Sequence, residues 1–225
     1  ADMIDRRTFL LGGGTALVGG CTMAQTPPPQ TGGTGQVPPV YQAIYGPRPD
    51  ERFPIPAVDL ARVDAIYWRR EVANPTGERP GMVVVDTGSF YLYWTMGGGR
   101  AMRYGVGLGR EGFGWDGTAT IERKQAWPTW TPPAEMIARE PELEQYRNGM
   151  DPGLGNPLGA RALYLYQDGR DTLYRLHGTQ EAHSIGRAVS SGCVRLLNQD
   201  VIDLYERVPD GTRVVVRPPS NPLLG

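Results

Sequence analysis

The sequence predicts a mainly β domain, sandwich-like or barrel-like, with one late α-helix and short helical segments. Three observations predict it. Short runs of β-branched and aromatic residues recur along the body of the chain, as in Phe90-Tyr91-Leu92-Tyr93-Trp94-Thr95. Turn residues separate them: the 225 residues include 31 Gly and 21 Pro, beside 11 Tyr. A clear helical spacing of apolar residues comes late, at Val201, Ile202, Leu204, Tyr205 and Val208.

The first residues do not read as folded structure. Within residues 1–23, Arg6-Arg7, Phe9 and the apolar run from Leu10 to Gly20 resemble a twin-arginine export signal. The run is about ten to twelve residues, too short to span a bilayer as a stable helix. Val18-Gly19-Gly20-Cys21 resembles a lipobox, in which Cys21 would be lipid-modified. An ordinary cleaved signal with an incidental Cys is the other reading. Residues 24–40, rich in Pro, Gly, Thr and Gln, cannot bury apolar surface and read as a flexible tether.

Residues 41–80 hold few periodic runs and read as an N-terminal arm, with a helical turn or two between Ala61 and Arg70. From Gly81 the pattern changes. Met82–Thr87 and Phe90–Thr95, joined through Gly88-Ser89, form a predicted β-hairpin. Strands are also expected at Ala101–Gly107, Gly117–Ala126, Ala162–Tyr166, Asp171–His177 and Thr212–Arg217. Trp127-Pro-Thr-Trp130-Thr-Pro-Pro133 is an aromatic and proline loop, with a short helix at Ala134–Arg139 behind it. Residues 147–160 form an extended Gly, Asn and Pro loop. Asn198 reads as the N-cap of the late helix, which Pro209 stops. Residues 218–225 are a tail.

Charge and composition exclude several functions. Lys plus Arg is 23 and Asp plus Glu is 24, so no basic excess favours nucleic acid. With two Cys and two His, and no CxxC or HExxH spacing, a metal site is not expected. If Cys21 is lipidated or removed, the exported domain keeps a single Cys, either buried and inert or reactive.

That cysteine lies in Ser190-Ser191-Gly192-Cys193-Val194-Arg195-Leu196, sixteen positions beyond Leu176-His177-Gly178-Thr179. A thiol nucleophile needs an imidazole to take its proton and backbone N–H groups to hold an oxyanion. His177 ends an apolar strand, where its direction is fixed, and Gly178 leaves its surroundings open. Gly192 permits close backbone approach, so the N–H groups of Gly192 and Cys193 can face a substrate carbonyl. Arg195, two residues past Cys193, offers a planar fork for a substrate carboxylate, or else a structural ion pair. His183 sits in a polar loop and reads as a surface or cleft-rim residue. Trp127 and Trp130 are equally open to cleft lining and to packing.

A His-Gly-Thr strand end followed by Ser-x-Gly-Cys-Val-Arg-Leu resembles the L,D-transpeptidase catalytic domain, the YkuD-like family. The Gly155-Asn156-Pro-Leu-Gly-Ala160 loop and Asn198-x-Asp200 fit as well, and the likeness covers residues 81–217. It implies an L,D-transpeptidase-type β-sandwich, Cys193 as acyl-forming nucleophile, His177 as its base, and Gly192 with Cys193 as oxyanion donors. It also implies substrate contacts at Arg195, Ser191, Gly178, Trp127 and Asn156. Many members have His where this chain has Ser191, so an auxiliary imidazole is lost there. The implied partners are peptidoglycan stem peptides, with no cofactor, in the periplasm. The acceptor stays open: another stem, an outer-membrane lipoprotein's Lys, or water. A hydrolase using the same residues and a non-catalytic wall-binding domain are the rival readings.

Overall fold

The computed structural model describes residues 36–109, 116–190 and 193–219. Cys21, Ser191 and Gly192 lie outside the described residues. The expected strands form: β2 (Val83–Asp86), β3 (Tyr91–Met96), β4 (Arg100–Gly105), β6 (Gly117–Ala126), β7 (Arg161–Gln167), β8 (Arg170–Thr179) and β11 (Arg213–Arg217). Beside them lie β1 (Arg70–Ala73), β5 (Leu108–Gly109), β9 (Ala188–Ser190) and β10 (Val194–Leu197). Among the described residues, nine strands make one sheet in the order β1-β4-β3-β2-β11-β6-β7-β8-β10, and β5 pairs with β9.

The sheet folds over a single core. Side chains from β3 and β4 near one end (Leu92, Tyr104) share a cluster with β8 and β10 at the other (Leu176, Val194, Leu196). The backbone shows the closure directly. Gly107, just past β4, exchanges hydrogen bonds of 2.9 and 2.8 Å with Arg195 on β10. A short helix, α2 (Ala134–Arg139), follows β6, and Val201 and Leu204 of the late helix α3 (Asn198–Arg207) pack into the same cluster. This is the mainly β arrangement expected. No helix among the described residues is long and apolar enough to cross a membrane.

The arm belongs to this body. A helix, α1 (Pro39–Ile44), starts at the end of the segment read as a tether. The turns at Leu60–Arg62 and Ala65–Tyr67 are 3-10, each with an Asp side chain accepting at its start. Further along the arm, β1 pairs with β4. Tyr45 donates to Asp200 at 3.3 Å, and buried Arg69 lies 3.7 Å from Asp200 and 3.2 Å from Asp203 on α3. Tyr104 donates to Asp203 at 2.6 Å, tying β4 to the same helix. Asn198 does not act as the cap it resembles: the N-cap is Leu197, without a side-chain bond. Its oxygen instead accepts from Ala160 N–H at 2.9 Å.

Candidate active site

Strands β8 and β10 run parallel, with Arg195 opposite His177 and Leu196 opposite Gly178. Opposed residues share a face and neighbours alternate. Leu176, Val194 and Leu196 therefore enter the core, while Arg175, His177 and Arg195 take the other face. Cys193, one residue ahead of β10, continues that alternation. The positive charges of Arg175 and Arg195 act on both its thiol and the His177 ring. The two chemical groups singled out in the sequence thus fall on one face of the same strand pair, near a sheet edge.

His177 is buried, at 4% exposure. Its Nδ1 lies 2.9 Å from the Gly178 carbonyl oxygen. A carbonyl can only accept, so Nδ1 carries the hydrogen and Nε2 keeps its lone pair. Burial, above all, lowers the imidazole pKa to about 4, and the two guanidiniums add to this. The Gly178 and Pro157 carbonyls oppose it. Ala162, opposite His177 on β7, leaves room for the ring. The imidazole is therefore neutral near pH 7 and able to take a proton.

The half-buried Cys193 thiol lies 3.9 Å from the Leu173 carbonyl oxygen. Burial raises its pKa, while a backbone hydrogen bond from Arg175 and the Arg175 and Arg195 charges pull the other way. Both shifts favour a neutral thiol beside a neutral imidazole.

Arg195 Nη1 meets Glu181 Oε2 at 2.7 Å, and Glu181 is exposed. Its Nε is buried with no hydrogen-bond partner. An exposed carboxylate contributes little, on the order of 1 kcal/mol or less, so a better-placed one can displace it.

The sequence profile of the L,D-transpeptidase catalytic domain, YkuD, matches residues 80–216. The chain belongs to the L,D-transpeptidase catalytic domain family. It is 38% identical over 156 residues to the probable L,D-transpeptidase YbiS of Escherichia coli K12, covering 64% of this chain and 47% of YbiS. Against the probable L,D-transpeptidase ErfK/SrfK of the same strain, identity is 35% over 155 residues, 65% of this chain and 47% of that one. The chain therefore spans about half the length of these curated relatives. A crystal structure from Brucella melitensis, described as a probable carnitine operon oxidoreductase, is 44% identical. The likeness covers 71% of this chain and 99% of that one, with a TM-score of 0.49.

Within this L,D-transpeptidase domain, three other residues expected to touch substrate have well-defined partners in the fold. Asn156 is buried and its Nδ2 donates to the carbonyls of Pro128, Met150 and Asp151, while Oδ1 accepts from Leu158 N–H. Every polar atom of its side chain is used inside the loop. Trp127 is also buried, donates to Glu51 at 2.8 Å and packs edge-on against Phe53. Gly178 lacks a side chain because a Cβ would fall on the Asn198 oxygen, and its carbonyl orients His177. His183 is exposed, as expected of a rim residue.

Two neighbours of the L,D-transpeptidase site were not anticipated. Arg175 is held by Asp171 through bonds of 2.6 and 2.8 Å and stacks 4.4 Å from the Tyr164 ring. Its spacing of two from His177 on a strand was the available signal. Leu173 left no such signal, since nothing in the sequence marks the irregular backbone that brings its carbonyl to Cys193.

Proposed function

We propose that this L,D-transpeptidase domain is a cysteine acyltransferase of peptidoglycan, with Cys193 as nucleophile and His177 as base. The observation that carries the reading is the pairing of β8 with β10. It sets a neutral, carbonyl-oriented imidazole on the same sheet face as a thiol. The Cys193 sulfur attacks the carbonyl carbon at the L-centre of diaminopimelate in a tetrapeptide stem, and its proton passes to Nε2 of His177. The N–H groups of Gly192 and Cys193 hold the oxyanion. The C–N bond to D-Ala then breaks, and the imidazolium returns the proton to the leaving amine. A thioester remains. An acceptor amine attacks it, His177 takes the amine's proton, and the thiolate is expelled and reprotonated. Arg195 clamps a stem carboxylate in exchange for Glu181. Export on the twin-arginine-like segment, with or without a lipid on Cys21, would bring the domain to its polymer.

Intact-protein mass spectrometry with a tetrapeptide donor tests the first half: an acyl adduct on Cys193 is expected, and its absence overturns the reading. Muropeptide profiles with and without the protein test the second half. New crosslinks or protein-linked stems support transfer, and only shortened stems point to a hydrolase.

A further inference from the structure

Strands β7 and β8 fall out of register beside the thiol. Tyr164 faces Arg175 and Tyr166 faces Asp171, so a single residue of β7, Leu165, stands opposite Thr172, Leu173 and Tyr174 of β8. The extra residues form a bulge. Leu173 at its crest has φ of 64°, a conformation a leucine rarely adopts. It is also 65% exposed, in a segment whose other apolar neighbours turn inward. The bulge is not loose. Thr172 Oγ1 donates to the Leu165 carbonyl at 2.6 Å, and Tyr174 N–H donates to Thr172 Oγ1 at 3.2 Å. Leu173 N–H donates to Asp171 at 2.8 Å, and the same carboxylate clasps Arg175. The side chains of Asp171, Thr172 and Arg175 thus hold an unfavourable leucine conformation in place.

The outcome of that framework is specific. The Leu173 carbonyl lies 3.9 Å from Cys193 Sγ, and the isobutyl group of the same residue faces solvent. A single exposed leucine is ordinary on a protein surface. An exposed leucine on a pinned, strained bulge next to a nucleophile is a different matter, because strain that the surroundings enforce concentrates where geometry serves function. We propose that Leu173 is a specificity-determining residue, making apolar contact with an aliphatic side chain of the acyl donor as its carbonyl approaches Cys193. This rests on the reading of Cys193 as nucleophile.

The test compares wild type with Leu173→Gly and Leu173→Asn, both of which accept a positive φ, so the bulge survives. Three quantities are read: the rate of Cys193 acylation by a tetrapeptide donor, the rate of Cys193 alkylation by iodoacetamide, and the melting temperature. Donor acylation should fall about tenfold in both variants, the size expected for losing a partly buried isobutyl contact. Alkylation should be unchanged and the melting temperature equal or higher. Unchanged acylation overturns the proposal. So does a parallel fall in alkylation, which would mean a disturbed thiol, or a loss confined to the later aminolysis step, which would put Leu173 on the acceptor side. If wild type itself takes no acyl group, it is the proposed reaction that fails, and the two failures remain distinct.

Discussion

Two parallel strand pairs of this sheet use the same backbone pattern for opposite ends. In the middle, β2 lies beside β11 with Val83, Val84 and Val85 matched to Val214, Val215 and Val216. Val83 and Val85 enter the main core, and Val84 packs on the other face with Tyr93 and Ala101, so apolar side chains cover both sides. At the edge, β8 lies beside β10; one face is apolar throughout, while the other is apolar only at its end, where Leu197 packs against the arm. The other carries Arg175, His177 and Arg195, with Cys193 alongside. A strand pair buried on both faces has no place for a titratable group. One that completes the core with half its residues leaves the other half for chemistry, at the cost of burying an imidazole whose protonation is then strongly disfavoured.

The comparison breaks most sharply at Cys193. If the outer face of β8 and β10 is dispensable to the core, Cys193→Ala should abolish acyl-enzyme formation while shifting the melting temperature by only a few degrees. Leu196→Ala, one strand residue from Arg195 but on the inner face, should cost about 2–5 kcal/mol of stability. Mass spectrometry and thermal unfolding of the two variants read both effects. Continued donor consumption by the alanine variant would remove Cys193 from the mechanism.

His177 comes next. Replacing it with Gln keeps a hydrogen-bonding side chain but removes the base, and acylation should fall by about 10²–10⁴. His183→Ala, on an exposed turn, should change it far less. With the imidazole held at about 4, the acid limb of kcat/KM for acylation should lie near that pH rather than near 6.5. Equal losses in the two histidine variants would undo the assignment.

Stability against pH sharpens the comparison, because a second buried titrating group, Asp200, lies where the arm meets α3. His177 is lowered from 6.5 to about 4, so its contribution is complete above pH 6.5 and drains away as pH falls to 4. Asp200 is raised from 3.8 to about 7 by burial, against the pull of Arg69 and Tyr45. Its contribution is complete below pH 3.8 and drains away as pH rises to 7. Each amounts to about 3–4 kcal/mol, in opposite directions over nearly the same range. Urea unfolding of the wild type should therefore depend less on pH between 4 and 7 than that of either single variant. His177→Gln should lose stability as pH rises, and Asp200→Asn should gain it. Flat profiles in both variants would mean that neither group is held as the structure implies.

Much of this architecture was legible because a β-branched run marks a strand buried on both faces and alternation marks one with a wet face. The Met82–Thr95 hairpin, Gly117–Ala126 and the late helix fall close to where periodicity puts them. The arm was less legible: β1 (Arg-Glu-Val-Ala) carries no apolar pattern and exists because β4 offers an edge. Asn198 sits where a cap belongs, yet its oxygen is taken by Ala160, a partner 38 residues away. Asn156 and Trp127 looked like cleft residues because polar and aromatic side chains in a Gly-Pro loop suit binding and internal bracing equally. At the site, His177 and Cys193 stood out by residue type. Arg175 and the Leu173 bulge depend on strand register, which a single sequence does not reveal.

The smallest expected effect belongs to Arg195, where the outer face meets solvent. Its guanidinium already has a partner, Glu181, but that carboxylate is 57% exposed and so weakly held, while the buried Arg195 Nε has none. A stem carboxylate that engaged Nε and displaced Glu181 would gain a bidentate contact the resting pair lacks. Arg195→Ala should then lower acylation by tetrapeptide donors about tenfold to a hundredfold, the one to three kcal/mol of a charge-assisted hydrogen bond. Arg195→Lys should restore only part, since an ammonium has no fork. Glu181→Gln should leave acylation unchanged or raise it, because it frees the guanidinium without altering the thiol. Iodoacetamide, having no carboxylate, should discriminate far less among these variants, Arg195→Ala losing only the pull of its charge on the thiol. If Arg195→Ala and Glu181→Gln instead lower the melting temperature together and slow donor and iodoacetamide alike, the pair is a strut between β10 and the Ala182–Ser184 turn, and the outer face holds less chemistry than the inner one holds core.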